Sequence, residues 1–323
     1  MATAEQIKAL IRSHYSQNSE QFLTLALQIA AHEARQGHGA LALEIRELVD
    51  KARKTSAPRN VLLFPQDLNG LIFSEEPELP LSSLVVNQDI KQRIERIILE
   101  FRQQSKLKSH GLMHRRKLLL AGAPGTGKTM TARILSYELK QLLHVIQLDR
   151  LVTKFMGETS AKLRQVFDKM QEMPGIYLFD EFDAIGGKRS LDNDVGEMRR
   201  VLNAFLQFIE NDASNNLIIA VTNNPGILDR ALFRRFDDVL YYDLPAQETR
   251  SCLIANVLGT FPEKNFPFNK VAEMTDGLSQ AEIDRVCREA IKLTILDNKE
   301  KVSFRLFENM LKERRSAYDV KKK

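Results

Sequence analysis

Eight consecutive residues, Gly122-Ala123-Pro124-Gly125-Thr126-Gly127-Lys128-Thr129, combine three glycines, a lysine and a hydroxyl at a spacing that suits phosphate chemistry. The apolar run Lys117 to Ala121 precedes them as a buried strand would. Met130 to Leu139 follows with helical spacing, so the glycines fall at a strand-to-helix turn. There, glycines let backbone N–H groups curl around a phosphate, and the start of the helix adds a favourable dipole. Lys128 can neutralise β- and γ-oxygens, and Thr129 can offer its hydroxyl to Mg²⁺. The stretch Gly122 to Thr129, with Met130 beside it, is the expected nucleotide site.

A second grouping lies further along. Ile176-Tyr177-Leu178-Phe179-Asp180-Glu181 is an apolar strand ending in two acids, Asp180 falling 52 residues after Lys128. In this arrangement the first carboxylate holds Mg²⁺ through its water shell, and the second can polarise a water for in-line attack on a γ-phosphate. Asp180 is assigned to metal, together with Thr129, and Glu181 to catalysis. Leu217 to Asn223 is another strand with a polar tip, 42 residues after Glu181.

With these residues the chain resembles the AAA+ ATPases, specifically the AAA proper clade, over residues 82 to about 300. The resemblance implies a sensor role for Asn223, which would touch the γ-phosphate and orient the attacking water. It also implies that Arg234 and Arg235, in Asp229-Arg230-Ala231-Leu232-Phe233-Arg234-Arg235-Phe236-Asp237, are arginine fingers reaching the ATP of a neighbouring subunit. The close spacing of the two arginines is similar to the microtubule-severing and endosomal-sorting ATPases of the meiotic clade, such as katanin and spastin. Glu197-Met198-Arg199-Arg200 resembles the second pore-loop region of that clade. Lys154-Phe155-Met156-Gly157-Glu158-Thr159 resembles the first pore loop, in which Phe155 and Met156 would grip an extended polypeptide. Asp276 to Ile283 resembles the segment that opens the main lid helix, bringing Ala281 near the adenine, and Leu84 to Asp89 the segment packing on the base from the other side, with Val86. Gln280 and Asn87 stand where that family usually has glycine.

The elements that must carry these residues follow from periodicity. Segments 117–121, 144–148, 175–179, 216–221 and 238–243 read as strands with helical stretches between them. Such alternation argues for a parallel sheet covered by helices on both faces. The expected fold class is α/β, a P-loop five-stranded parallel sheet with a C-terminal helical lid (246–323) after a large ATPase domain (82–245). Before these come a small helical docking domain (1–55), with helices at Ala4 to His14, Ser19 to Gln36 and Gly39 to Arg53, and a proline-punctuated linker (56–81).

The 323 residues are 43% hydrophobic, enough for one sizeable core and a smaller one. No apolar run approaches the roughly 18 residues of a membrane span, so a cytoplasmic location is expected. Cys252 and Cys287 lack any metal-ligand spacing and read as reduced core residues. The net charge of +5 is concentrated in clusters such as Arg115-Arg116-Lys117 and the C-terminal lysines, for which a solvated or inter-subunit role is expected. With no tryptophan and six tyrosines the chain offers little for base stacking, and nucleic acid is an unlikely partner.

These readings converge on an Mg²⁺-dependent ATPase that forms a homo-oligomeric ring, a hexamer by resemblance, and remodels or unfolds protein docked through residues 1–55. A stand-alone ATPase of this type also resembles bacterial ATPases paired with a separately encoded subtilisin-like protease in toxin–antitoxin or phage-defence systems. The alternative is a DNA-linked switch such as a helicase loader or transposition regulator.

Overall fold

The computed structural model describes residues 19–55, 68, 70–154, 158–186, 192–228 and 230–319. The expected helix Ala4 to His14 and the loop residues Phe155 and Met156 lie outside them. The chain divides at residues 63/64 into two compact units.

In the first unit, α1 (Ser19–Arg35) and α2 (Gly39–Thr55) form an antiparallel pair. Ala26, Ala30, Ala42 and Val49 are buried, small side chains that let the two backbones approach. Between the helices Gly37 takes φ 90°, and the His38 ring meets the Glu33 carboxylate at 2.7 Å. That bond holds Glu33 below the usual glutamate pKa.

The second unit is built on β1 (Ile72–Glu75), α3 (Gln88–Arg102), α4 (Gln104–Ser109), β2 (Lys117–Gly122), α5 (Lys128–Leu139), β3 (Leu143–Gln147), α6 (Leu148–Lys154), α7 (Thr159–Glu172), β4 (Ile176–Asp180), α8 (Asp183–Gly186), α9 (Asp192–Asn211), β5 (Leu217–Thr222), α10 (Arg230–Phe233) and β6 (Asp238–Tyr242). The strands form one sheet in the order β1-β3-β4-β5-β2-β6. The five parallel strands begin and end within one residue of their expected positions. Strand side chains alternate between faces, so each strand feeds two cores. Leu119, Tyr177, Phe179, Ile218 and Ala220 pack with Phe167 of α7 and Phe205 of α9. Leu118, Leu120, Leu178 and Ile219 pack with Ile94 and Ile97 of α3 and Leu135 of α5. The sheet is thereby sealed on both sides, which lets its strands be almost wholly apolar.

The sixth strand corrects the expectation of five strands and a linker at 56–81. β1 pairs antiparallel with β3, with Leu68 and Leu71 buried beneath it. Its side chains are tied down individually: Ser74 Oγ bonds His144 Nδ1 at 2.9 Å, Arg133 donates to both Glu75 oxygens, and the Arg150 guanidinium sits over the Phe73 ring. Burial lowers the His144 pKa to about 4, so the imidazole at this junction is neutral at physiological pH.

Four further helices, α11 (Gln247–Leu258), α12 (Phe268–Met274), α13 (Gln280–Leu296) and α14 (Phe304–Asp319), close a separate core around Ile254, Val271, Ile283, Val286 and Phe307. Cys287 lies in it, its thiol pushed up to about 12 by burial, whereas Cys252 is exposed and is not the core residue it was expected to be.

The basic cluster is also corrected, because its charges are met within the chain. Arg115 pairs with Glu100 and Asp238, Arg116 is buried against Asp212, and the Lys117 amine points to the Glu210 carbonyl. Removing one member of a buried pair strands the other charge, whereas a solvated pair costs little.

The sheet delivers its most exacting contact where β2 ends. Gly122 has φ +147°, and a Cβ placed there would sit 2.0 Å from the Tyr242 carbonyl oxygen on β6. At Gly127, φ +97°, nothing lies within 4 Å of such an atom. Gly122→Ala is expected to destabilise the protein by more than about 3 kcal/mol, and Gly127→Ala by only the left-handed backbone cost of about 1–2 kcal/mol. Urea unfolding of the two variants checks this, and equal costs would contradict the contact.

Candidate nucleotide site

The site grows from the C-terminal ends of the parallel strands, where open α/β sheets leave a crevice. β2 runs into the loop Gly122–Gly127, whose glycines 122, 125 and 127 all have positive φ, and α5 starts at Lys128 with Gly127 as its N-cap. The first amides of α5 have no intrahelical acceptor and are directed into the loop. Lys128 is buried. Its Nζ donates to the loop's own carbonyls, Gly122 at 2.8 Å and Ala123 at 2.7 Å. Burial lowers its pKa, with the nearby Asp180 and Asp183 acting in the opposite sense. The residues present therefore fit a polyphosphate: a cradle of donors and a cation held inward by weak carbonyl acceptors that a phosphate can replace.

β4 lies two strands from β2 and places Asp180 beside this loop. Thr129 Oγ1 donates toward Asp180 Oδ2 at 3.4 Å, so the two residues assigned to Mg²⁺ converge from separate elements. A hydroxyl and a carboxylate as hard oxygen donors suit that ion. Glu181 follows, exposed, with φ +54°. A non-glycine residue in this region is strained by roughly 1–2 kcal/mol. The Glu181 amide donates to Asp180 Oδ1 at 2.9 Å and the Phe182 amide to the Val221 carbonyl at 2.8 Å, and these bonds hold the turn. The Glu181 carboxyl is raised above the ordinary glutamate value by partial burial first, then by Asp149, Asp180 and Asp183.

Asn223 stands at the tip of β5 as expected, its side chain exposed and its amide donating to Asp183 Oδ1 at 3.2 Å. Beside the acids is a small pocket of about 150 Å³ lined by Val145, Gln147, Asp149, Arg150, Asp180 and Glu181. Gln147, Asp149 and Asp183 were not singled out from sequence. The signal available was their position, since Gln147 and Asp149 end and follow the strand beside β4, and Asp183 lies one turn past the two acids.

The other flank of the loop meets the C-terminal helices. Gly125 accepts a hydrogen bond from the Ala281 amide at 2.9 Å, and a Cβ on Gly125 would lie 2.7 Å from Ser279 Oγ. Ser279 and Glu282 form a capping box at the start of α13. Val86 packs against the sheet core and Val85 against the core of the C-terminal helices, so this segment bridges both. Asn87 needs no glycine-like backbone: it has φ −63° and caps α3, accepting from the Ile90 amide at 2.9 Å. Gln280 starts α13 with its Oε1 buried and unbonded among the described residues.

Arg234 and Arg235 follow α10, anchored by the buried Leu232 and Phe236 on either side. Neither pairs with the adjacent acids. Asp237 accepts from the Arg116 and Lys117 amides at 2.9 Å, and Asp238 is engaged by Arg93 and Arg115. Arg235 pairs with Glu210. Arg234 is exposed and makes no hydrogen bond or ion pair among the described residues. Among those residues no helix is long and apolar enough to cross a membrane.

The chain is similar to known proteins. The family described as ATPase family associated with various cellular activities (AAA) matches residues 118–244. A protein of Sinorhizobium fredii called uncharacterized AAA family ATPase y4kL is 33% identical over 318 residues, 97% of this chain and 96% of that protein. A putative 26S proteasome regulatory subunit homolog of Methanothermobacter thermautotrophicus is 32% identical over 211 residues, 64% of this chain and 57% of its own length. Among solved structures, the FIGL-1 AAA domain in complex with ADP is similar with a TM-score of 0.60 and 26% identity, over 75% of this chain and 86% of that one. With a phosphate cradle, paired acids and a polar strand tip on one edge of a parallel sheet, and with near full-length likeness to an AAA ATPase, the chain belongs to the AAA family of ATPases and hydrolyses ATP.

Proposed function

We propose that the protein is an ATP-driven remodeler of other proteins, working as a ring in which each catalytic site is shared by two subunits. One observation carries the shared site: Arg234, just after α10, is exposed and unengaged by its own chain among the described residues. A guanidinium spends little on waiting in solvent, and near a γ-phosphate it offsets charge that builds as the bond breaks. Within one subunit, Lys128 leaves its loop carbonyls for the β- and γ-oxygens. Thr129 and Asp180 are the residues that would hold Mg²⁺, which supplies charge neutralisation of the phosphates. Glu181 takes a proton from the water that attacks the γ-phosphorus, Asn223 orients that water, and ADP departs. Val86 and Ala281 flank the base. Arg234 and Arg235 come from the neighbour, a hexamer being the expected assembly.

Likeness to a putative proteasome regulatory subunit homolog and to FIGL-1 supports a protein client. Phe155 and Met156 are the side chains proposed to grip it, and the N-terminal helices, residues 1–55, are proposed to dock it. The narrower form of the proposal delivers the client to a separately encoded subtilisin-like protease. Occupation of Arg115, Arg116 and Arg315 by partners within the chain argues against a DNA-linked switch.

Glu181→Gln is expected to retain ATP binding while turnover falls about 10²–10⁴-fold, and ATP-locked Glu181→Gln protein should retain polypeptide. Steady-state hydrolysis near the wild-type rate would refute the assignment, and recovery of nucleic acid alone would refute the protein client. The pH profile gives a second check. Glu181 must be ionised to accept a proton, and its raised pKa places the acid limb of kcat above that of an ordinary glutamate. Asp149→Asn removes one of the charges raising it, so the limb should move to lower pH. An unmoved limb would mean that another group titrates.

A further inference from the structure

Arg250 lies in the first turns of α11, just after the chain leaves the sheet, and is 7% exposed. Its guanidinium gathers three separate segments. Nη1 donates to the Pro245 carbonyl at 2.7 Å, Nε donates to the Ala272 carbonyl at 2.8 Å, and Asp276 Oδ1 lies 2.9 Å from Nη1. Pro245 belongs to the crossing between β6 and α11, Ala272 to the last turn of α12, and Asp276 to the turn that leads into α13. Arg315 of α14 adds bonds to the Met274 and Asp276 carbonyls, so two guanidiniums satisfy the carbonyl end of α12.

These contacts close a circuit that begins and ends at the phosphate loop. Gly122 abuts the Tyr242 carbonyl, three residues before Pro245. Pro245 is tied through Arg250 to Asp276. Three residues later Ser279 caps α13, and the Ala281 amide donates to Gly125. Asp276 is followed by Gly277, at φ +79°, and Leu278, which lead directly to the Ser279 cap of α13.

We propose that Arg250 is a positioning residue for the nucleotide, setting the angle between the sheet and the C-terminal helices and so how α13 meets the phosphate loop. It does not touch ATP and acts through the Ala281–Gly125 bond. Only a planar fork can serve these acceptors at once, and a lysine at this position reaches one of them. The inference concerns ATP binding and hydrolysis and holds whatever client the protein acts on.

The test is a double-mutant cycle on the full chain, reading the Kd of Mg-ADP by calorimetry. Ala281→Pro puts a ring carbon where the N–H that bonds Gly125 stood, too close to the Gly125 carbonyl for the 2.9 Å contact to persist, and so breaks this linkage outright. Arg250→Lys and Ala281→Pro are each expected to weaken ADP about tenfold, and the double variant also about tenfold, since both break one linkage. A purely structural arginine would lower the thermal midpoint and leave ADP affinity per folded molecule unchanged. Asp276→Asn, at a carboxylate 77% exposed, covers the case in which Arg250→Lys does not fold, and the Asp276→Asn/Ala281→Pro cycle then carries the same criterion. The proposal is overturned if the position-250 variant, or the position-276 variant standing in for it, binds ADP within about twofold of wild type, or if the losses multiply.

Discussion

A loop that wraps a phosphate with backbone amides must leave side chains out at its glycines, because the conformations and close approaches it needs there exclude them. Gly122, Gly125 and Gly127 all adopt positive φ, and two of the three have no room for a Cβ. Their shape is imposed from outside: β6 brings the Tyr242 carbonyl against Gly122, and α13 brings Ser279 and Ala281 against Gly125. Tyr242 is itself held by a 2.7 Å bond between its hydroxyl and Thr131 on α5, the helix that the loop begins. The rest of the molecule is arranged so that these elements arrive together.

The electrostatics of the site follow from the same placement. A lysine in a buried loop is costly unless something accepts its protons, and here the Gly122 and Ala123 carbonyls do so. Carboxylates gather at the strand ends opposite, with Asp149, Asp180 and Asp183 close enough to Glu181 to raise its pKa on top of its partial burial. Such crowding favours a proton acceptor poised nearer neutrality and a bound cation between the acids and the phosphates. The left-handed backbone of Glu181, held by Asp180 Oδ1 and Val221, aims this residue away from its strand.

Much of this was legible in the residues themselves. The loop, the paired acids and the Asn223 tip each join an apolar run of strand length to a polar residue type with a specific task, and all three sit at strand ends on one edge of the sheet. What escaped depends on partners distant in sequence. β1 has four residues, too few to show alternation, and its pairing is fixed by His144 and Arg133, about 60–70 positions away. Arg115 and Arg116 look like a free basic cluster until Asp238 and Asp212 arrive from across the sheet. Asn87 reads as a departure from a glycine pattern and proves to be a helix cap, a local role its residue type also predicts.

Within one chain the glycine loop, the buried Lys128 and the carboxylates at the strand ends converge, while Arg234 stands clear of any partner among the described residues. In the proposed ring a second copy completes the site. Mixing two variants that are each inactive alone tests it: Glu181→Gln, which keeps its arginines, and Arg234→Ala/Arg235→Ala, which keeps its acids. With a shared site, ATP hydrolysis is expected to reappear on mixing, because some junctions then pair an intact acid with intact guanidiniums. Mixtures that stay silent, or an arginine double variant that hydrolyses ATP at the wild-type rate, would contradict it.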